Sequence, residues 1–257
     1  YNLAILLTDL CEFDEAVNYY EKVNSLQPDF VTAYSNKLFS LNYHPDKTER
    51  EIFSHYEDFD EKFPFLGESV WRNSNRSHDF NLDKSLKVGY VSPDFYYHPV
   101  SSILAPIFDF HDGTKFEIYA YSGVQKEDSM TAHLKSKAQS WISTCGLDDQ
   151  SLASKIAEDG IDILVDLAGH TKGNRLLMMG QYRPAPILVS MFGFGYTTGM
   201  KGFDYFVTDE ICAPQDCDSL YSETLWRLPR TYSVYRPNSE AGEVSSLPAE
   251  RNGFVTF

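Results

Sequence analysis

Hydrophobic residues in the first part of the chain recur three and four positions apart, the spacing of an amphipathic helix. Two such runs occupy residues 3–10 and 13–23, and Pro28 follows the second run. A third run with the same spacing begins after Asp29. Because proline does not continue a helix, the pattern predicts a helical pair, an interruption at Pro28 and then another helix.

The first two predicted helices and the proline that follows them match the plan of a tetratricopeptide repeat. Such a repeat contains about 34 residues, with small residues where its helices cross and a proline at its exit. Ala4, Ala16 and Pro28 occupy those positions. One repeat does not bury its own apolar face, so we expect further repeats before Tyr1. A generic helical hairpin is the alternative interpretation.

A further helix is predicted to begin at Thr48. Thr48 is a capping type of residue, and Glu51 lies three positions later, the spacing of a capping box. The acidic and aromatic stretch up to Phe63 continues this helix. Residues 64–85 are rich in asparagine, serine and charged side chains and include Pro64 and Gly67, a composition typical of a connection. We therefore assign residues 1–63 to a tetratricopeptide-type helical segment and residues 64–85 to a linker.

From residue 86 onward, strand patterns alternate with helical ones. The run at residues 161–167 is almost continuously apolar, as in a strand buried on both faces of a parallel sheet. The alternation predicts an α/β region, residues 86–257, built as a Rossmann-like doubly wound parallel-sheet lobe. No G-x-G-x-x-G motif follows the first strand, so dinucleotide binding is unsupported. Strands are predicted at residues 86–91, 116–121, 161–167, 187–192 and 205–208, and helices at residues 100–110, 130–141, 151–158 and 174–181.

Composition and charge narrow the possible partners. The 257 residues are 42% hydrophobic and 23% charged, which is ordinary for a folded protein. The formal net charge of −15 disfavours nucleic acid and anionic membranes as partners. The sequence has no membrane-length apolar run and no signal peptide, and its four scattered cysteines are interpreted as reduced thiols, so a cytoplasmic location is predicted.

The ends of the chain suggest a part of a longer polypeptide. The chain opens without methionine inside a predicted helix. It stops in an apolar, strand-like run at residues 252–257. We therefore expect sequence on both sides of it.

Three loops that leave predicted strands carry candidate functional side chains: residues 92–99, 166–175 and 193–199. Ligands of open parallel sheets bind outside the carboxyl ends of the strands, so these loops should meet at one edge. The first loop leads into a helix N-terminus, which favours anions. The candidates are His98 in the first loop, Asp166, His170, Thr171 and Lys172 in the second, and Thr197 and Thr198 in the third.

Each candidate also has a structural interpretation. A histidine beside a proline often only bonds its own loop. Asp166 either caps a turn or orients His170, and the spacing does not distinguish these roles. Joint metal ligation by His98, His170 and Asp166 is disfavoured, because neither a cysteine nor a further carboxylate accompanies them. No metal and no other cofactor is predicted.

Short runs at these loops and between them form a recognisable series. They are residues 41–46 (LNYHPD), 88–95 (VGYVSPDF), 98–100 (HPV), 162–171 (DILVDLAGHT), 183–187 (RPAPI), 221–223 (YSE), 228–229 (LP) and 235–237 (YRP). In content and order they resemble the N-terminal part of the catalytic region in the O-linked N-acetylglucosamine transferase family. The resemblance covers almost the whole chain and is closer to the bacterial and SPINDLY-like members than to the animal enzyme.

The resemblance implies the N-terminal lobe of a two-lobed GT-B glycosyltransferase, with tetratricopeptide repeats that present acceptor proteins. It implies inverting transfer of N-acetylglucosamine from UDP-GlcNAc to Ser or Thr hydroxyls, without a metal. Some relatives use GDP-fucose or UDP-glucose, which are alternative donors. Most donor contacts in the family belong to the C-terminal lobe, so the isolated chain is expected to be inactive.

The resemblance also assigns roles to the candidates. His98 and His170 correspond to histidines that line the family's active site, and Asp166 corresponds to the aspartate of the second motif. Either histidine would position or deprotonate the acceptor hydroxyl, or contact the donor phosphates. We expect His170→Ala to cost activity with little stability. The second-rank candidates for substrate hydrogen bonds are Thr171, Lys172, Thr197 and Thr198.

One loop departs from the family. Residues 191–199 read MFGFGYTTG, whereas members commonly read WLGYPGTTG, so Gly195-Tyr196 replaces Pro-Gly. This change removes a fixed φ angle and adds an aromatic ring, which leaves the choice of donor or acceptor open.

Two other functions were weighed. A non-catalytic scaffold that binds proteins through its repeats is the alternative, and the two histidines in family motifs argue against it. A GT-B epimerase or phosphorylase acting on free sugars is disfavoured, because repeats of this kind suit peptide-sized partners.

Overall fold

The computed structural model of the chain describes residues 1–73, 84–237 and 242–256. Its helices are α1 (Asn2–Asp9), α2 (Phe13–Leu26), α3 (Val31–Leu41), α4 (Glu49–Lys62), α5 (Val70–Asn73), α6 (Pro99–Phe110), α7 (Ser129–Lys137), α8 (Asp149–Asp159), α9 (Leu176–Tyr182) and α10 (Pro248–Asn252). Its strands are β1 (Leu86–Ser92), β2 (Phe116–Ser122), β3 (Ser140–Ser143), β4 (Ile163–Asp166), β5 (Ile187–Ser190), β6 (Tyr205–Asp209) and β7 (Thr224–Leu228). A 3-10 helix, Gln215–Leu220, precedes β7.

The strands form one parallel sheet in the order β3-β2-β1-β4-β5-β6-β7. The chain runs outward from β1 to β3, then crosses back to place β4 on the other side of β1. The strand order therefore reverses between β1 and β4, as in doubly wound folds. Val91 of β1 lies opposite both Tyr121 of β2 and Asp166 of β4, so these three strands end at the same edge. The predicted Rossmann-like lobe is confirmed.

Apolar side chains cover both faces of the sheet. One core joins β1 and β2 to α6 and α7, through residues such as Val88, Leu104 and Leu134. The other joins the sheet to α8 and α9, and it also includes Leu38 of α3 and Phe59 of α4. Burial on two sides explains why the strands read as apolar runs rather than as alternating patterns.

The helical segment has a small core of its own. Ala4, Ala16 and Ala33 are fully buried beside Tyr20, where α1, α2 and α3 pack together. Alanine allows the helices to approach closely, which agrees with the alanine spacing seen in the sequence. The assignment to the tetratricopeptide class and the boundary after residue 63 stay predictions. The core that joins the sheet to α8 and α9 also includes residues of α3 and α4, so the two regions are packed together.

The cap of α4 is confirmed. Thr48 and Glu51 form a reciprocal capping box: the Glu51 N–H donates to Thr48 Oγ1 at 3.3 Å, and the Thr48 N–H donates to the Glu51 carboxylate at 2.8 Å. A capping box satisfies two N–H groups that a helix start otherwise leaves free.

Two local predictions were wrong, and one strand was missed. The helix predicted at residues 130–141 ends at Lys137, and Ser140–Ser143 form β3, in which Trp141 pairs with Ala120. This short edge strand forms because it pairs with β2, and the residues of the strand alone do not indicate that pairing. β7 was not predicted; it is likewise an edge strand, half-exposed and paired with β6.

The other wrong prediction lies at the end of the chain. Residues 252–257 were predicted to be strand-like, but α10 occupies Pro248–Asn252 and Gly253 ends it with a φ of 76°. Residues 253–256 belong to neither a helix nor a strand, and residue 257 lies outside the described residues. Within the predicted linker, α5 occupies Val70–Asn73, while residues 74–83 also lie outside the described part.

Candidate active site at the carboxyl edge of the sheet

An open cavity of about 830 Å³ lies at the carboxyl edge of the sheet. Loops that follow β1, β2, β4 and β5 line it, because the parallel strands bring those loops to one side. The strand order reverses between β1 and β4, and this reversal is where doubly wound folds bind their ligands. The lining residues are Pro93, Asp94, Tyr96, His98, residues 123–128, Thr171, Lys172, Gly173 and Gly193.

His98 reaches this cavity from the start of α6. It occupies the N-cap position, and its Nδ1 accepts a hydrogen bond of 3.3 Å from the Val100 N–H. Its side chain is 34% exposed. Because Nδ1 accepts, the neutral ring carries its proton on Nε2. His98 is therefore accessible to a ligand and is held in one tautomer by its own helix.

Asp94 is the acidic neighbour of His98. Its Oδ2 lies 3.9 Å from His98 Nδ1, at the limit of an ion pair. Burial raises the pKa of the Asp94 carboxyl, and the nearby imidazole opposes that rise. Donation from Nδ1 to Asp94 would require the other tautomer of the ring, with the proton on Nδ1.

Thr171 and Lys172 line the same cavity from the loop after β4. The Thr171 hydroxyl donates to the Ala168 carbonyl at 2.7 Å, which fixes the turn. Lys172 is exposed and forms no ion pair within the described residues. The loop packs closely on the β1 loop, since a Cβ on Gly173 would lie 3.1 Å from Pro93 Cβ. These two sequence candidates therefore lie at the cavity together with His98.

A second, smaller cavity lies on the other side of Thr171 and Lys172. It measures about 220 Å³ and separates the loop from α3, where Thr32 and Asn36 contribute to its wall. Thr171, Lys172 and Gly173 line both cavities. The loop after β4 thus forms the partition between the helical segment and the main cavity.

Asp166 is a turn-capping residue. It is fully buried at the end of β4, where its carboxylate accepts from the Ala168 N–H at 3.1 Å and the Gly169 N–H at 2.8 Å. The Ser190 hydroxyl donates to it at 2.9 Å. Burial raises the pKa of Asp166 to about 6, against the effect of these donors. Its partners decide between the two roles left open by spacing, because none of these bonds goes to His170.

His170 lies in the core and does not line the cavity. It is 1% exposed, and its two nitrogens contact the Ser35 hydroxyl at 3.1 Å and the Thr198 carbonyl at 2.8 Å. Since a carbonyl only accepts, Nε2 carries the proton and Nδ1 accepts from Ser35, as in a neutral ring. Burial lowers the pKa of His170 to about 4. Substrate contact by this ring is not supported by its position, and its packing predicts a loss of stability when it is replaced, contrary to the expectation from sequence.

Thr197 and Thr198 were expected to bind substrate, but they bind Glu223. Both threonines are fully buried, and the Thr197 hydroxyl donates to the Glu223 carboxylate at 2.6 Å. The Thr198 hydroxyl donates to the same carboxylate, and the Thr198 N–H does so at 2.7 Å. Burial raises the pKa of Glu223, which these donors oppose. The two threonines therefore hold the loop after β5 in place through buried hydrogen bonds to Glu223.

Tyr196, the departure from the family loop, packs against the helical segment. Its ring contacts Tyr56 of α4 and Tyr221 edge-on, with ring centroids 5.1 Å apart in each case. The loop after β5 is thereby tied to α4 through Tyr196. Gly193, at the start of the same loop, lines the main cavity.

Sequence reasoning missed two parts of the site. Residues 123–128 line the cavity after β2, and Glu223 holds the loop after β5. The first could have been found, because β2 is the strand that follows β1 and its carboxyl end must lie at the same edge. The role of Glu223 had no such signal. A single glutamate in the sequence does not reveal that the two threonines 25 and 26 positions before it are its buried partners.

Within residues 1–73, 84–237 and 242–256, no group of three or more His, Cys, Asp and Glu side chains is arranged to hold a metal ion. In the same ranges no helix combines the length and the apolar character needed to cross a membrane.

The parallel sheet and the cavity at its point of reversal define a Rossmann-like enzyme lobe of the GT-B kind. The chain belongs to glycosyl transferase family 41, whose sequence model matches residues 54–237. The family suspected from the sequence motifs is thereby confirmed.

The similar proteins are named as peptide glycosyltransferases. A rice (Oryza sativa subsp. japonica) protein named probable UDP-N-acetylglucosamine–peptide N-acetylglucosaminyltransferase SPINDLY is 36% identical over 247 residues, 94% of this chain and 26% of that protein. Its Arabidopsis thaliana namesake is 36% identical over 238 residues, 90% of this chain and 25% of that protein. The chain thus spans about a quarter of the length of these curated relatives.

A solved structure shares the fold. The Thermobaculum terrenum O-GlcNAc transferase mutant K341M superposes with a TM-score of 0.83 at 31% sequence identity. The match covers 93% of this chain and 45% of that chain.

Proposed function

We propose that this chain is the first catalytic lobe of a protein O-glycosyltransferase. The enzyme transfers N-acetylglucosamine from UDP-GlcNAc to Ser or Thr hydroxyls of acceptor proteins, with inversion at the anomeric carbon. The observation that carries the proposal is that the loops after β1 and β4 bring His98, Thr171 and Lys172 to one open cavity. Membership of family 41 and the names of the relatives support the choice of chemistry.

The reaction is a direct displacement. The acceptor oxygen attacks the anomeric carbon, the bond from that carbon to the diphosphate oxygen breaks, and the electron pair leaves with UDP. The hydroxyl proton passes to an oxygen of the departing diphosphate or to solvent. Lys172, exposed at the cavity and free of ion pairs in the described chain, is suited to the negative charge that develops on the leaving group. The proposal keeps the expectation that no metal or other cofactor takes part.

His98 is the side chain that we place against the reacting groups. With Nδ1 bonded to the Val100 N–H, its Nε2–H donates to an acceptor oxygen or to a donor phosphate. In the other tautomer, with the proton on Nδ1 and donated to Asp94, Nε2 would instead be free to take the acceptor proton. The first arrangement has the shorter contact and is the one we favour.

The acceptor reaches the site from the helical segment. Repeats of the tetratricopeptide type would hold the acceptor protein, and the cavity between α3 and the loop after β4 adjoins the main cavity through Thr171, Lys172 and Gly173. In this proposal the enzyme works in the cytoplasm. The isolated chain is inactive, because a GT-B enzyme closes its donor between two lobes.

The test is intact-mass analysis of cellular proteins co-expressed with the full-length enzyme. We expect the mass of one N-acetylhexosamine to be added, to fall to a small residual level with His98→Ala, and to persist with His133→Ala, a control histidine on α7 that does not line the cavity. Addition of a different sugar would point to GDP-fucose or UDP-glucose as the donor. No addition by folded enzyme would contradict the proposal and favour the non-catalytic scaffold.

A further inference from the structure

The loop that carries His98 is fastened to the start of α7. The Tyr97 N–H donates to Asp128 Oδ2 at 2.7 Å, and the Thr131 hydroxyl donates to the Phe95 carbonyl at 2.6 Å. Asp128 and Thr131 are the two members of the capping box of α7. A helix cap therefore also bonds the backbone on the N-terminal side of His98.

The Asp128 carboxylate accepts hydrogen bonds both from the first turn of α7 and from the loop after β1. Oδ1 accepts from the Thr131 N–H at 2.9 Å, which is the capping bond of α7. Oδ2 accepts from the Tyr97 N–H, which belongs to a different loop. Capping needs only one side-chain oxygen, and serine provides it about as well as aspartate. The bond from the Tyr97 N–H is therefore additional to the cap of α7.

The bridge acts one residue away from His98. Fixing the Tyr97 N–H fixes the direction in which the backbone enters His98, and the ring is then held from the other side by the Val100 N–H. Phe95, in the same loop, is fully buried in the core beside α6 and α7. Asp128 itself lines the cavity at the end of residues 123–128, so the loops after β1 and β2 are joined at the site itself.

We propose that Asp128 is a positioning residue that holds the His98 imidazole in place for the transfer reaction. The inference rests on the proposed function for its kinetic consequence, although the bridge can be tested without it. A purely structural role as a helix cap is the rival explanation. The two differ in what happens when only the second oxygen is removed.

The variant Asp128→Ser distinguishes the positioning role from the capping role. Serine keeps an oxygen for the Thr131 N–H and loses the bridge to Tyr97. Asp148→Ser is the matched control: Asp148 caps α8 through a 2.7 Å bond from the Ser151 N–H, and it does not line the cavity. If Asp128 were only a cap, the two variants of the full-length enzyme would behave alike.

We expect Asp128→Ser to lower kcat about tenfold relative to Asp148→Ser, because small misplacements of a reacting group are costly. The loss should disappear in the His98→Ala background, where Asp128→Ser adds no further decrease if it acts through His98. The two single variants should show the same small fall in Tm. Equal kcat values for the two serine variants, or an undiminished loss in the His98→Ala background, would overturn the proposal.

Hydrogen exchange measured by mass spectrometry tests the bridge without activity. Asp128→Ser should speed exchange in peptides covering residues 95–100, and Asp148→Ser should leave them unchanged. Unchanged exchange in both variants would refute the bridge even in an active enzyme. An inactive wild-type enzyme with faster exchange in Asp128→Ser would contradict the proposed function and leave the bridge standing.

Discussion

Two histidines of this chain follow neighbouring strands at the same edge of the sheet, yet their environments differ. His98 follows β1 and has a half-buried side chain beside the cavity. His170 follows β4 and is buried among the rings of Tyr56, Phe59 and Phe194. The difference comes from α4 and the loop after β5, which cover one strand end and leave the other open. Two motif histidines of one family therefore have different physical roles here.

The sequence could predict the position of His98 at the start of a helix, but not the buried contacts of His170. His98 stands directly before Pro99 and a helical pattern, so its place at a helix start was readable from its neighbours. The two partners of His170 are Ser35, 135 positions away, and the Thr198 carbonyl, 28 positions away. Contacts across such distances depend on the packing of the helical segment on the lobe, which no local pattern records.

Burial of His170 predicts a large effect on stability. We expect His170→Ala to lower the free energy of unfolding by about 3 kcal/mol, because it opens a cavity among aromatic rings and leaves the Thr198 carbonyl without its donor. Urea denaturation of the two proteins at pH 7 would measure the difference. His133→Ala, on the surface of α7, is the control and should change stability far less. A His170→Ala protein as stable as the wild type would show that the ring is not a structural element.

The same burial gives a pH dependence with a defined sign. The pKa of His170 is about 4 in the folded chain, against 6.5 for an ordinary histidine. Between these values the unfolded chain binds a proton that the folded chain does not, so the contribution of His170 is complete above pH 6.5 and declines as the pH falls. Asp166 acts in the opposite sense between 3.8 and about 6, since its folded pKa is raised.

Comparing wild type with His170→Gln isolates the histidine, because Asp166 is common to both proteins. The stability difference should shrink by about 2 kcal/mol between pH 7 and pH 5. Chemical denaturation at the two pH values provides the measurement. A difference that stays constant with pH would mean that His170 titrates alike in the folded and unfolded states.

At the scale of elements, predictability followed burial and position in the sheet. The central strands β1, β4 and β5 are buried and were found as apolar runs, whereas the edge strands β3 and β7 are half-exposed and were missed or misassigned. A central strand must be apolar on both faces, so its own residues reveal it. An edge strand depends on one neighbour and has little pattern of its own.

The loop after β5 offers an internal comparison of two glycines. A Cβ on Gly193 would overlap the Leu167 carbonyl oxygen, whereas a Cβ on Gly195 would meet nothing within 4 Å. Gly193 is therefore required by a close backbone approach, and Gly195 is not.

We expect Gly193→Ala to lower stability by at least about 2 kcal/mol and Gly195→Ala to change it by less than about 0.5 kcal/mol. Thermal unfolding of both variants measures the contrast. Because Gly193 also lines the cavity, transfer activity should fall only in its variant. Equal melting temperatures would show that the loop moves freely away from the end of β4.

At the scale of the molecule, the helical segment and the lobe share one hydrophobic core. Leu38, Leu41 and Phe59 of the helices belong to the same buried cluster as Met200 and Phe203 of the lobe. The Lys201 N–H donates to Asp60 of α4 at 2.9 Å, and His170 bonds Ser35 of α3. The sequence predicted a helical region followed by an α/β lobe, and the lobe is confirmed, but composition does not reveal that α3 and α4 complete the core of the lobe.

This shared core predicts that the lobe does not fold without α3 and α4. Removal of residues 1–83 would expose the side chains of Met200 and Phe203 together with the buried ring of His170, an apolar surface of a size that favours association.

Removal of residues 1–12 is the control: it deletes α1, which packs on α2 around Ala4 in a separate small core. We expect the shorter deletion to retain one cooperative unfolding transition and the longer one to give aggregated or molten protein, as judged by near-ultraviolet circular dichroism and urea denaturation. A soluble lobe with cooperative unfolding after the longer deletion would mean that the helices are an accessory to the lobe, and that the contacts of His170 and Tyr196 with them contribute little to its stability.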